Sequence, residues 1–397
     1  MNLALVHEWL VNIGGSEKCV QSFINAFPGS HLYTIVHDPG VAAGMGLSGR
    51  VTSTFIQRLP RATRWYQKYL PLMPLAVEQL DLGGYDVILS SSHAFAKGVL
   101  TRADQMHVCY CHTPVRYVWD LYHHYLSQWG LHRGPFSWPA RALLHYLRLY
   151  DVSSANRVDH FIANSGYVAR RIWRAYRREA TVIYPPVEVD LFQPGAKKDG
   201  YFMVLSRLVP YKKVDVIVEA FARNGLPLVV IGDGPDMEKI KRLASKNIEI
   251  AGWLPSEEVA GYMARARALV FAADEDFGIV PVEAQACGTP VIAYGRGGVM
   301  ETVNPLNPPG GTGWFREGYT PTGVFFENQT PESINRAVAQ FIKHEDRFDP
   351  SALRRHSLRF GRRRFEEEIK AFIENRWREF RGEPAPWEGV KTAYGYC

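Results

Sequence analysis

The chain is poor in cysteine: five in 397 residues (Cys19, Cys109, Cys111, Cys287 and Cys397), odd in number and widely scattered. That pattern excludes a disulfide-stapled scaffold and fits reduced thiols in a cytoplasmic protein. No run approaches the ~18–20 apolar residues that a membrane-spanning helix needs. The N-terminus has no basic segment and reaches the His7-Glu8 pair too early for a secretory signal. A P-loop, a G-x-S-x-G elbow, a zincin helix and a C-x-x-C pair are all missing, which argues against NTPase, esterase and redox activities. Charge of one sign is scarce as well. Against 40 Asp and Glu there are 46 Lys and Arg, a net +6, and no nucleic-acid module accompanies them. With 46% hydrophobic and 22% charged residues, the composition is that of a globular protein of two or three domains.

Short apolar runs alternate with amphipathic stretches, the pattern of parallel strands joined by helices. Residues 3–6, 87–89, 107–110 and 160–163 read as buried strands, and Ile13-Gly14-Gly15-Ser16-Glu17-Lys18 as a glycine turn opening a helix. Tyr184-Pro185-Pro186 and the polar stretch 193–200 read as an interdomain linker. Beyond it the alternation restarts, with strands at 202–205, 228–231, 268–271 and 290–293 and helices at 214–223 and 235–246. This predicts an α/β protein of two Rossmann-like doubly wound domains facing across a cleft, with ligands at the carboxyl ends of the strands. The expected boundaries are 1–185 and 186–369, with a C-terminal helix at about 370–397 packing back onto the first domain.

The strongest chemical signal is Glu275-Asp276-Phe277-Gly278-Ile279-Val280-Pro281-Val282-Glu283, followed by Cys287-Gly288-Thr289-Pro290. It spans a strand end and a helix start. Phe277-Gly278-Ile279 therefore presents backbone N–H groups at a helix N-terminus, while Glu275 and Glu283 can accept hydrogen bonds from vicinal diols. Asp274-Glu275-Asp276 imitates a D-x-D metal motif, but it lies inside the longer pattern. After the linker, Ser206-Arg207-Leu208-Val209-Pro210-Tyr211-Lys212-Lys213 places cations where they oppose a helix dipole unless an anion binds. Cys109-Tyr110-Cys111-His112-Thr113-Pro114 ends a strand and points His112 into the cleft; C-x-C-H alone is poor zinc spacing. Gly232-Asp233-Gly234-Pro235 is an incomplete dinucleotide fingerprint, with Met237 at the third glycine position.

Together these motifs, in this order along nearly the whole chain, resemble the retaining family-4 glycosyltransferases. The resemblance implies a GT-B fold with the nucleotide-sugar donor held mainly by the second domain, and no essential metal or other cofactor. It implies that Arg207 and Lys212 hold the donor diphosphate opposite Gly14 and Gly15, and that His112 and Glu275 contact the donor sugar. Glu283 would take the ribose diol. Phe277, Gly278, Ile279 and Val280 would line the donor site, and the Gly232 turn and Leu254 would lie near the nucleotide. The family often carries glycine after the lysine; Lys213 stands there instead, so either lysine could reach the phosphate. His7-Glu8-Trp9-Leu10, Ser90-Ser91-Ser92-His93 and the run 110–120 most resemble bacterial mannosyltransferases of surface-polysaccharide assembly. GDP-mannose as donor and a polyprenyl-diphosphate-linked glycan as acceptor follow as expectations.

Arg58, Arg61, Arg64 and Lys68 recur at helical spacing among aromatics, as do Arg133, Arg141, His145 and Arg148 beside Trp129, Phe136 and Trp138. Basic aromatic segments suit an anionic membrane surface, the expected place of an enzyme with a lipid-linked acceptor, peripheral on the inner face of the plasma membrane. Two other classes compete: an NAD-dependent sugar-modifying enzyme built on Gly232 to Gly234, and a non-catalytic polysaccharide-binding subunit. A UDP-sugar donor on the same fold is the nearer alternative.

Overall fold

The computed structural model describes residues 1–195, 197–306 and 319–383. The first seven strands are β1 (Leu3–Leu10), β2 (His31–His37), β3 (Val51–Ser53), β4 (Val87–Ser92), β5 (Met106–Cys111), β6 (His160–Ala163) and β7 (Ala180–Val182). They form one parallel sheet in the order β3-β2-β1-β4-β5-β6-β7. The next six are β8 (Phe202–Leu205), β9 (Leu228–Ile231), β10 (Ile248–Gly252), β11 (Leu269–Phe271), β12 (Val291–Tyr294) and β13 (Gly323–Phe326). These make a second parallel sheet, β10-β9-β8-β11-β12-β13. Both carry the doubly wound order, in which the chain reverses direction beside the first strand. Each sheet thus has a crevice at the carboxyl ends of its central pair, β1/β4 and β8/β11.

β4 and β5 are buried along their whole lengths, as strands covered by helices on both faces must be. Phe365, Ile369 and Ile373 join Val20, Phe23 and Leu32 in one core layer of the first sheet. They bring the helix Arg362–Phe380 back onto the first domain, starting at Arg362 rather than near 370; residues 384–397 lie outside the described residues.

The linker expectation needs correction. Val187, Val189 and Phe192 are buried in the second domain's core, and Lys198 donates to Ala264 O and Thr289 Oγ1. Gly195 and Lys198, in a stretch with the composition of a linker, therefore lie against the second domain. The chain crosses between domains at Tyr184 to Val187, and on its return at Gly361, where a β-bridge joins Val187 to Gly361.

The first basic segment is corrected as well. Residues 55–72 form two 3-10 turns around the short helix Ala62–Trp65, with Arg61 in the left-handed region at φ 50°, not one amphipathic helix. No helix among the described residues is long and apolar enough to cross a membrane.

Candidate active site between the two sheets

The two crevices open toward each other. From the first domain come the turn after β1, which leads into the helix Gly15–Ala26, and the loops after β4 and β5. A Cβ on Gly15 would lie 3.2 Å from Ile279 Cδ1, so the turn meets the start of the helix Ile279–Ala286 across the cleft. From the helix Gly15–Ala26, Lys18 reaches Glu188 at 3.2 Å and Glu283 at 3.9 Å. Burial pushes the Glu283 carboxyl up to about 7 despite Lys18. Glu283 is thus a desolvated acceptor that gains from hydroxyl donors.

From the second domain, the loop after β8 carries Arg207 and Lys212. Arg207 is exposed, and among the described residues its guanidinium has no ion-pair or hydrogen-bond partner. Lys212 pairs with Glu275, the loop carboxylate after β11. Burial and the neighbouring Arg116 lower the Lys212 amine to about 7, with Asp276 opposing. A negative charge brought close to the amine would favour its charged form. Lys213 occupies the left-handed region at φ 56° as the residue before the helix Val214–Asn224. That is a conformation glycine adopts without strain, and it accounts physically for the glycine expected at this position.

The three carboxylates of Asp274-Glu275-Asp276 diverge to separate cations: Asp274 to Arg296, Glu275 to Lys212 and Asp276 to Arg171. Phe277 does not present its ring to the cleft. It is buried against Tyr184 and Phe360, and Gly278 at φ 86° turns the chain into the helix that follows. Leu254 and Val280 are half-buried against the second domain's core. Gly232 has a reason of its own: at φ 136°, a Cβ there would stand 1.9 Å from Ser206 O. The glycine lets the end of β9 back against the loop carrying Arg207, a packing requirement that needs no nucleotide.

His112 closes β5. Its backbone N–H donates to Ser92 O at 2.8 Å, and Asn164 Nδ2 donates to its carbonyl at 3.0 Å. Burial, then the neighbouring His93 and His7, lower its imidazole to about 3, so it is neutral at physiological pH. Sequence reasoning missed the layer that joins the domains beside it. Arg171 bridges Asp276, Asp120 and Thr113 Oγ1, and Glu301 accepts from the N–H groups of Gly166 and Tyr167, both at 2.8 Å. A carboxylate of one domain thus caps the helix Gly166–Tyr176 of the other. Arg170, Arg171, Arg174, Arg177 and Arg178 stand together in the sequence, but the acidic partners of Arg171 lie 51 residues away at Asp120 and 105 residues away at Asp276.

Two family models match nearly end to end, Glycosyltransferase Family 4 over residues 13–191 and Glycosyl transferases group 1 over 188–357. An uncharacterized glycosyltransferase of Methanocaldococcus jannaschii is 30% identical over 194 residues, 47% of this chain and 51% of that protein. The GDP-mannose-dependent alpha-(1-6)-phosphatidylinositol monomannoside mannosyltransferase of Mycobacterium tuberculosis is 28% identical over 217 residues, 46% of this chain and 52% of that one. The chain spans about half the length of the curated relatives it matches. Anabaena Alr3699/HepE in complex with UDP-glucose shares the fold, with a TM-score of 0.65 at 18% identity over 94% of this chain and 100% of that one. Two Rossmann-like sheets with this cleft define the GT-B class. Within it, the chain belongs to the family-4 glycosyltransferases.

Proposed function

We propose that the chain transfers a hexosyl group with retention at the anomeric carbon, mannose from GDP-mannose, to a polyprenyl-diphosphate-linked glycan of bacterial surface-polysaccharide assembly. The observation that carries this reading is the convergence on the cleft face opposite Gly15 of Arg207, which has no ion-pair partner among the described residues, the Lys212–Glu275 pair, and Glu283 beside Lys18. Arg207 and Lys212 would stabilise charge developing on the departing diphosphate, and no metal is assigned a role. The diphosphate would take Lys212 from Glu275, freeing that carboxylate for sugar hydroxyls. Glu283 would accept from the ribose diol, and His112 would contact the reacting sugar. No carboxylate is placed as a covalent nucleophile, so front-face attack is proposed, with a leaving phosphate oxygen taking the acceptor proton.

The acceptor assignment rests on the rim of the first domain, where Trp129, Phe136 and Trp138 are 47%, 73% and 81% exposed near exposed Arg133. Such aromatics suit the headgroup layer of an anionic membrane and a peripheral place on its inner face. The mannose donor is supported by the mycobacterial relative's name. A UDP-sugar is the second reading, favoured by the UDP-glucose held by the Anabaena protein.

Calorimetric titration of GDP, UDP, GDP-mannose, UDP-glucose and NAD without added metal tests it. GDP-mannose should bind best, and Glu275→Gln and Arg207→Ala should each lose about 100-fold or more in turnover. Full activity in either variant would remove these roles, and binding of NAD alone would refute the reading.

A further inference from the structure

The mechanism above leaves one cation of the cleft unused. Arg116 follows His112 by four residues, in the loop after β5. That loop is anchored from inside: Val115 and Val118 are buried in the first domain's core, and Leu121 N–H donates to Arg116 O at 2.9 Å. The Arg116 side chain is only 19% exposed and faces the second domain, its Nη1 3.9 Å from Asp276 Oδ2. This is too long for a hydrogen bond. Asp276 is hydrogen-bonded to Arg171, which Asp120 and Thr113 Oγ1 also hold. Among the described residues the Arg116 guanidinium makes no hydrogen bond, and its Nε is buried without a partner. Unsatisfied donors on an enclosed cation are costly, and a guanidinium matches a carboxylate or a phosphate. The protein supplies this one with neither at hydrogen-bond distance.

The surroundings are cationic as well. After burial, the charge of Arg116 is the next cause of the lowered Lys212 amine, and the charges of Arg116 and Arg207 both act on the Tyr211 hydroxyl. A cation of the first domain thus stands near two of the second. Glu275 and Asp276 offset part of this charge, but Glu275 is paired with Lys212 and Asp276 with Arg171. Like charges at this range repel, and an anion between them removes the repulsion.

We propose that Arg116 contacts substrate, holding a phosphate oxygen of the donor diphosphate from the first domain, opposite Arg207 and Lys212 of the second. The inference rests on the nucleotide-sugar reading and extends it: both domains grip the departing diphosphate. A guanidinium carried on a core-anchored loop meets the charge developing on the leaving group without reorganising. Arg116 shares its loop with His112, the proposed sugar contact, so the phosphate it meets is the one that bears the sugar.

The test is calorimetric titration of GDP, and of GMP, which lacks that phosphate, into the wild type and Arg116→Gln. GDP affinity should fall about tenfold or more in the variant, while GMP affinity stays within about twofold. Arg116→Lys, which keeps the charge but not the fork, should fall between the two proteins. The melting temperature of Arg116→Gln should stay within about 2 °C of the wild type, because no hydrogen bond of the fold is lost. An equal loss for both nucleotides, or no loss for either, overturns the proposal. If the wild type prefers UDP, the same comparison is made with UDP and UMP. If it binds neither diphosphate, the nucleotide-sugar reading falls, and inorganic pyrophosphate then decides the Arg116 site. Pyrophosphate binding that weakens about tenfold in Arg116→Gln upholds an anion contact there. Equal binding by both proteins, or none by the wild type, removes it.

Discussion

Glu8→Gln should cost the first domain about 2–4 kcal/mol. Glu8 is fully buried, and its Oε1 accepts from Ser92 Oγ at 3.0 Å and from the N–H groups of His93, Ala94, Phe95 and Ala96 at 2.8–3.1 Å; Oε2 accepts from Phe95 N–H at 2.9 Å. Burial alone would raise the carboxyl pKa. The charge of His93 and the N–H groups of Phe95, Ala94 and Ala96 outweigh it and hold the pKa below its ordinary value. Hydrogen bonds to a charged acceptor contribute about 1.5–3 kcal/mol against about 0.5–1.5 for a neutral one. Glutamine keeps the shared oxygen but loses the charge, and its amide nitrogen opposes Phe95 N–H, donor against donor. Cheaper desolvation of the amide offsets part of the sum. Urea unfolding followed by circular dichroism measures the difference, and the melting temperature should fall by roughly 5–15 °C. The pH dependence has a definite sign. A carboxyl whose folded pKa is depressed contributes stability above its unfolded pKa and loses it as pH falls through the folded value. The gap between the two proteins should therefore be constant from about pH 6 to 8 and narrow below about pH 4. A gap under ~0.5 kcal/mol at pH 7, or one that widens in acid, would refute the account of Glu8.

Gly232→Ala places a methyl against Ser206 O in a backbone region closed to alanine, so the loop carrying Arg207 must move. GDP affinity should fall tenfold or more, and unchanged affinity would show that this loop does not hold the diphosphate. Phe136→Ala with Trp138→Ala alters only exposed surface, so the melting temperature should stay within about 1 °C. Co-sedimentation with phosphatidylglycerol vesicles should drop about tenfold, and undiminished binding would discard this rim as the membrane face.

Local pattern was enough wherever a residue's role is decided by its own neighbours in sequence. The buried strands announce themselves as apolar runs, and the βα alternation yields two doubly wound sheets because parallel strands need crossover helices. The linker reading failed because proline, glycine and charge at 193–200 say nothing of the anchors beside them: Val187, Val189 and Phe192 bind that segment to the second core. The basic spacing at 58–68 likewise gave no warning that Arg61 breaks the helix. Arg148, taken as part of a membrane face, turns inward to donate to Val118 O.

The site shows the same division. His7-Glu8 and Ser90-Ser91-Ser92-His93 were legible only as two separate likenesses, because the physical reason for each lies in the other. β1 and β4 are adjacent in the sheet with His7 in register with Ser91. That pairing carries Glu8 under the loop after β4, where it accepts from the N–H groups of residues 93–96, and sets His7 beside the Ser91 hydroxyl. Two neighbouring side chains on one strand therefore divide the work: Glu8 shapes the loop from below, and His7 stands between Glu17 Oε1 at 3.3 Å and Ser91 Oγ at 3.1 Å, the hydroxyl that lies 2.9 Å from His112 Nε2. Substituting Glu8 should disturb stability first, whereas substituting Glu17 should disturb turnover first. Opposite outcomes in the two variants would mean that the strand pairing, and not the hydrogen-bond chain, is what this pair of segments provides.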